Sequence, residues 1–494
     1  MKIASPKLHT AHLTANEEAL VRCEAALAQK DKGDYGGAQK VISGLWRGVG
    51  ERPKTKGLHA SVSAEVSLCV GILTGWIGSK NQIKDAQENA RNLINESIAY
   101  FESAGDQKKV AAARVELAYC YWRDGQLNEA RTMLREALQK LTTEGETRAR
   151  ALLKLARVEW SAPRYSEALG ILTDSASLFQ KVPNHTTRGR YHCQIAVIHR
   201  SLATPETRGD YFRLAINEYK QADYYFGLGR NPVFRSEVKT SIGFLLSHLS
   251  RFKEAHEYLS AARRLAVSFR DKTRTAKIDQ TRAEVLLTQG KLKEAEAVAR
   301  KAVSSLERNG HRSLVTDALI THGITLARLR RADNARFVLQ RAIEVACQFD
   351  EYNQAGLAAL TLIEELDQLS AATLHAAYQQ AREWLAGSQS QEVLLRLNEA
   401  AGKVTASARG ELSADDATEI LLTKPCDLQN RILKYEKTLI KQALAQSNGR
   451  VTHAASLLNM SYQALSYIIE SRHKDLLKER SPVHRRRPRT SREI

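Results

Sequence analysis

Near the C-terminus, Tyr462, Gln463, Ser466 and Tyr467 recur at neighbouring and four-residue spacings. On a helix such spacing puts them on a shared face. All four side chains carry hydrogen-bonding groups. A glutamine amide pairs bidentately with adenine, and a tyrosine reaches a phosphate or the methyl of thymine. Cations stand close by. Arg450 precedes the stretch, Arg472 and Lys474 follow it, and Arg485, Arg486 and Arg487 lie in a proline-punctuated tail. This set makes and breaks no bonds; its chemistry is recognition of a polyanion.

The charge distribution points the same way. The chain has 494 residues and a formal net charge of +19. From 431 to 494 there are 14 Lys and Arg against 5 Asp and Glu, so the last 64 residues carry +9. Concentrated basic charge is the footprint of a polyanion binder. A flexible basic arm of this kind follows phosphates or enters a minor groove. The bland reading is a solubilising tail without specific contacts.

These side chains need a scaffold. Leu428 to Gln446 reads as a helix with Leu428, Ile432, Leu433, Tyr435, Leu439, Ile440, Ala443 and Leu444 on an apolar stripe. Lys434, Lys437 and Lys441 sit largely off it. Ser447-Asn448-Gly449 stops that helix. Thr452 is expected to cap the next one through its hydroxyl. Ala454 and Ala455 then allow two helices to cross closely. Asn459 supplies a turn, since it tolerates positive φ. Ser461 is expected to cap a last helix running to about Arg472, with Leu465 and Ile469 inward. Tyr462, Gln463, Ser466, Tyr467 and Glu470 remain outside. Two short helices behind a longer one make a helix-turn-helix, the shape that lays one helix in the major groove.

The run from Tyr435 to Leu465 resembles the Fis-type helix-turn-helix of the Fis nucleoid protein and of nitrogen-regulation-type enhancer-binding activators. The shared positions are Leu439-Ile440, Ala443-Leu444, Gly449, Thr452, Ala454-Ala455, Leu457-Leu458, Ser461 and Leu465. The resemblance implies binding to double-stranded DNA; the residues themselves make Arg450, Thr452, Ser461, Tyr462, Gln463, Ser466, Tyr467, Arg472, Lys474 and Arg485–Arg487 the candidate contacts. A homodimer through 428–446 is part of the expectation. Arg450, Asn459 and Tyr462 depart from the family's usual Asn, Gly and Arg, so no target sequence carries over. The motor of the enhancer-binding activators is not implied, because nothing fits G-x-x-x-x-G-K-[ST].

Other chemistry fails on spacing. The Gly-rich, basic stretch Arg47 to Gly57 lacks the Gly-Lys-Ser/Thr ending of a phosphate loop and reads as an inter-helix loop. The 14 His and 6 Cys show no metal-ligand spacing, so no metal or other cofactor is expected. The cysteines read as small apolar core residues of a reducing cytoplasm. No nucleophile-base arrangement can be argued, and an enzyme is not expected. The N-terminus lacks the apolar region of a secretory signal. No apolar run is read as reaching the roughly 20 residues that span a bilayer, so no membrane partner is expected. The expected location is the cytoplasm, with the nucleoid.

The rest of the chain repeats itself. GDYGGA, GQLNEA, PRYSEA, SRFKEA and GKLKEA, with the weaker RRADNA, NQIKDA and GDYFRLA, place marker alanines at 38, 86, 130, 168, 215, 255, 295 and 335. Each marker reads as a turn, then a corner residue, then an alanine where two helices approach. This resembles the tetratricopeptide repeat, with helices about a turn longer than usual because the period is near 40 rather than ~34. Repeats of this length look like those of bacterial regulators that sense peptides or partner proteins. Stacked hairpins form a solenoid with a concave groove suited to a peptide. Tyr121, Trp122, Trp160, Tyr191 and Tyr224 either line it or pack between repeats.

The expected fold is therefore all-α: a flexible N-terminus (1–16), a tetratricopeptide-like helical-hairpin solenoid (17–369), capping helices (370–404), a linker (405–427), a small Fis-type helix-turn-helix domain (428–478) and a basic tail (479–494). The expected function is sequence-specific, DNA-binding transcription regulation, with a protein or peptide bound in the solenoid. The alternative is a repeat scaffold whose C-terminal bundle and tail dock RNA or an acidic protein.

Overall fold

The computed structural model describes residues 12–143, 145–308, 312–367, 369–388, 390–413 and 428–479. Every regular element among them is helical. The chain forms two compact units, Met1–Ser407 and Ala408–Ile494.

The larger unit is a stack of helical hairpins. The pattern runs from Ala15–Asp31 with Tyr35–Ile42, through Gln107–Arg123 with Leu127–Lys140, to Arg312–Arg328 with Ala332–Gln348. The first helix opens at Ala15, within the segment expected to be irregular. Thr14 and Glu17 form a reciprocal capping box that satisfies two backbone donors.

Every marker alanine lies in the second helix of a hairpin and is buried. The facing helix supplies the other small residue. A Cβ added at Gly243 would lie 2.7 Å from Leu259 Cγ and 3.1 Å from the carbonyl oxygen of Ala255. The hairpins reverse through left-handed residues: Gly125 and Gly290 adopt φ of 77° and 80°, while Ser250 and Arg330 hold 58° and 60° with a side chain.

The helix Ala60–Asn81 corrects one expectation. By length and composition it is apolar enough to cross a membrane, with a mean hydropathy of 1.5 over its best window. That window is 61% buried in the protein. Val66, Val70 and Leu73 are sealed against the first hairpin, so core packing accounts for the apolarity.

The segment expected as a capping pair divides differently. Ala371–Trp384 packs on Tyr352–Glu365 as the second helix of a further hairpin, with Leu374, Ala377 and Ala381 buried. Gly356 and Leu385 reproduce the close crossing. The following helix, Gln391–Ser413, caps the stack, leaving Leu394 and Leu395 exposed. It continues beyond the expected boundary at 404. Residues 414–427, including Cys426, and the tail from Arg480 lie outside the described residues.

The solenoid also closes on itself. Asp31, at the end of the first helix, pairs with Arg150, lies 3.8 Å from Arg190 Nη1 and 3.1 Å from Lys30 Nζ. Its carbonyl oxygen accepts from Arg190 Nη2 at 3.2 Å. Burial would raise its carboxyl pKa, but the three cations outweigh burial and hold it well below the usual range. Residues far apart in sequence thereby enclose part of the concave face.

The aromatics expected at the groove divide by location. Trp122 Nε1 and Trp160 Nε1 each donate, at 2.8 Å, to a serine about forty residues on, Ser161 and Ser201. Tyr191 is buried and stacked on Phe179, with ring centroids 4.3 Å apart. Tyr121 packs between hairpins, and Tyr224 is 60% exposed.

Candidate nucleic-acid interface

The smaller unit is built around three helices, Leu428–Gln446, Val451–Leu457 and Tyr462–Arg472, followed by a 3-10 turn, Lys474–Glu479. Its core joins Ile440, Ala443 and Leu444 of the first to Val451, Ala454 and Ala455 of the second and Leu465 and Ile469 of the third. The paired alanines are the contact that lets the short helices cross. The stripe predicted for the first helix is only partly inward. Tyr435 is 69% exposed and Leu439 39%.

The turns follow the residue chemistry. Asn448 and Gly449 take φ of 50° and 74°, and the Gly449 amide donates to Leu444 O at 2.8 Å. This satisfies a terminal carbonyl of the first helix. Asn459 takes φ of 52° between the second and third helices. Ser461 caps the third helix, its hydroxyl accepting from the Ala464 amide at 3.2 Å.

Thr452 does not cap the second helix. That helix starts two residues earlier than a Thr452 cap requires, at Val451, with Arg450 in the cap position and no side-chain cap bond. Burial of Val451 draws it into the first turn, which leaves Thr452 exposed within the helix.

Tyr462, Gln463 and Tyr467 are exposed on the third helix. Ser466 is less open than expected. It is half-buried, and its hydroxyl donates to Glu470 Oε1 at 3.1 Å. A carboxylate thus shares the face meant for a polyanion. Arg450, Thr452, Arg472 and Lys474 are exposed, whereas Arg485, Arg486 and Arg487 lie outside the described residues.

Sequence reading missed the clamp that holds the end of the third helix. Glu436 accepts from Arg472 Nη1 at 3.3 Å and lies 3.1 Å from His473 Nε2. His473 is buried. One residue along, Lys437 pairs with Asp475 at 2.6 Å and holds its carboxyl below the ordinary range. The partners are far apart in sequence, and no local spacing announces them. Arg472 is therefore a structural residue as well as a surface cation. Among the described residues no cluster of His, Cys, Asp or Glu could hold a metal ion.

Comparison with known proteins agrees with this geometry. Residues 434–469 match the family described as bacterial regulatory protein, Fis family. Residues 111–139 match the tetratricopeptide repeat. No curated protein matches the chain in sequence. Among solved structures, a signal transduction ATPase with numerous domains and a tetratricopeptide repeat sensor, from Pyrococcus horikoshii, is 15% identical with a TM-score of 0.49. The match covers 75% of this chain but only 55% of that one, so the chain spans little more than half of its length. A Rap protein complexed with competence and sporulation factor is 13% identical, with a TM-score of 0.47 over 79% of this chain and 99% of that one. Yeast Tom70 is 11% identical, with a TM-score of 0.47 over 80% and 83%. The chain carries a tetratricopeptide repeat within its hairpin array and a Fis-family helix-turn-helix domain near its C-terminus.

Proposed function

We propose that this chain is a binding protein and not an enzyme: a sequence-specific transcription regulator acting inside the cell. The helix Tyr462–Arg472 reads duplex DNA, and the solenoid takes a protein or peptide that tunes the response. The supporting observation is a helix whose Leu465 and Ile469 are sealed in the core while Tyr462, Gln463 and Tyr467 stand exposed, within a segment matched by the Fis family. Arg450, Lys474 and the basic tail supply phosphate contacts in this reading. The test is binding of the full chain to mixed-sequence duplex at graded salt. Affinity should fall steeply as salt rises, because phosphate contacts release counterions. Absent or salt-insensitive binding would end the proposal.

Dimerisation belongs to the same reading. Tyr435 and Leu439 form an exposed apolar strip along the first helix. Two copies pairing there would present two recognition helices to successive grooves. Sedimentation of a Tyr435→Glu, Leu439→Glu chain should then show monomer where the parent shows dimer.

A further inference from the structure

Within the solenoid, the closure at Asp31 leaves a cavity of about 250 Å³ that DNA binding does not use. Part of its wall is apolar and flat. Trp76 and Tyr119 stack with ring centroids 4.4 Å apart and planes 10° from parallel, and Phe226 and Phe234 add further ring surface. The polar part is out of balance. Lys154 is matched by Glu116 at 2.7 Å, Glu237 by Arg274 at 2.5 Å, and Arg150 and Arg190 face Asp31.

Arg157 has no such match. Among the described residues no carboxylate lies within ion-pair distance of it. Its guanidinium lies 5.5 Å from the Trp122 ring centroid and donates to Gln194 Oε1 at 3.2 Å. It is open to the cavity at its own surface yet surrounded by protein, and this desolvation draws its pKa downward. Gln194 is only 5% exposed. With its oxygen engaged by Arg157, its Nε2 is buried and finds no acceptor. Trp76 Nε1 is likewise buried without one.

A guanidinium without a carboxylate partner therefore lines one cavity together with aromatic side chains. An unmatched guanidinium favours an anionic oxygen acceptor, and a carboxylate matches its fork of N–H donors. The volume lies just below the usual ~300–1,000 Å³ of small-molecule sites, so it admits a group of about one side chain and no helix. We propose that this cavity binds an aromatic carboxylate, its carboxylate held by Arg157 and its ring packed against the stacked Trp76–Tyr119 pair. The source is either a free aromatic acid or the C-terminal residue of a peptide. The proposal rests on the solenoid being the ligand-binding half of the regulator.

The test uses the full chain and two probes, N-acetylphenylalanine and its neutral amide, followed by tryptophan fluorescence and calorimetry. The acid should bind about tenfold or more tighter than the amide, because the site's donors reject a ligand lacking the anion. Arg157→Gln should erase that difference while circular dichroism stays unchanged. Equal affinity of the parent chain for acid and amide, or binding of neither, would overturn the proposal without any variant. So would discrimination that survives Arg157→Gln. Ala-Ala-Phe binding tighter than phenylacetate supports the site with a peptide terminus as the source; the reverse supports it with a free acid. DNA binding is measured on the same preparation. Failure of the acid probe with DNA binding intact removes only the cavity proposal, and failure of DNA binding with acid binding intact removes only the regulator reading.

Discussion

Gln463 and Tyr467 lie exposed where base edges would pass, so each is predicted to govern discrimination and not bulk affinity. Gln463→Ala or Tyr467→Ala should cost about 1–3 kcal/mol of preference between a selected duplex and its scrambled form. Competition binding reads this directly. Deleting 481–494 should instead weaken binding to all duplexes alike and flatten the salt dependence. Loss of sequence preference on deleting the tail would reverse this division of labour. Glu470 acts in the opposite sense. Its charge repels phosphate, and it accepts the Ser466 hydroxyl. Glu470→Gln should raise affinity for any duplex several-fold at low salt, and an unchanged affinity would place it off the interface. The residue types were legible in sequence, but the Ser466–Glu470 contact was not. A four-residue spacing permits that bond, while burial of the helix decides whether it forms.

At the scale of elements, caps and crossings carry the stability. Ser461→Ala removes an observed cap bond and should cost about 1 kcal/mol. Thr452→Ala removes none and should stay within about 0.5 kcal/mol. The pair is compared by urea midpoints of the C-terminal unit, and equal losses would contradict the assigned caps. In the solenoid, Arg330→Gly should stabilise by roughly 0.5–1 kcal/mol, since a left-handed φ of 60° strains any residue with a Cβ. Gly243→Ala should destabilise, because Leu259 and the Ala255 carbonyl leave no room for a methyl. The spacing of the repeat alanines is enough to give the register of these crossings. The ninth hairpin, Tyr352–Glu365 with Ala371–Trp384, is not legible in the same way, because its turn lacks the marker residues that betray the others.

For the molecule as a whole, closure of the superhelix hangs on Asp31. Its folded-state pKa is depressed by Lys30, Arg150 and Arg190 against the raising effect of burial. The resulting stability is therefore present above the ordinary carboxylate range and is lost as pH falls below it. Asp31→Asn should cost about 3 kcal/mol at neutral pH and remove part of the acid sensitivity, read from urea midpoints between pH 7 and 3. Glu284 works with the opposite sign. It is half-buried at its own surface but enclosed by surrounding protein, and desolvation, with the charge of Asp317, pushes it up to about 7, against Thr321 and Lys277. Stability should decline as pH rises from about 4.5 to 7 and level off above. Glu284→Gln should flatten that slope and raise the melting temperature at pH 8.

What the sequence alone determined was local and periodic. Helical spacing, left-handed turn residues, the Ser461 cap and the density of cations at one end depend on neighbours a few residues apart, and they specify hairpins and a helix-turn-helix. Tertiary structure decided everything that joins distant residues. The Glu436 clamp on Arg472 and His473 follows from how three helices pack in the smaller unit, and the Asp31 closure and the meeting of Arg157, Gln194, Trp76 and Tyr119 around one cavity follow from how successive hairpins rotate against one another. That rotation is set by side-chain packing at each crossing, and small offsets accumulate along the stack, so no local pattern encodes which residues finally face each other.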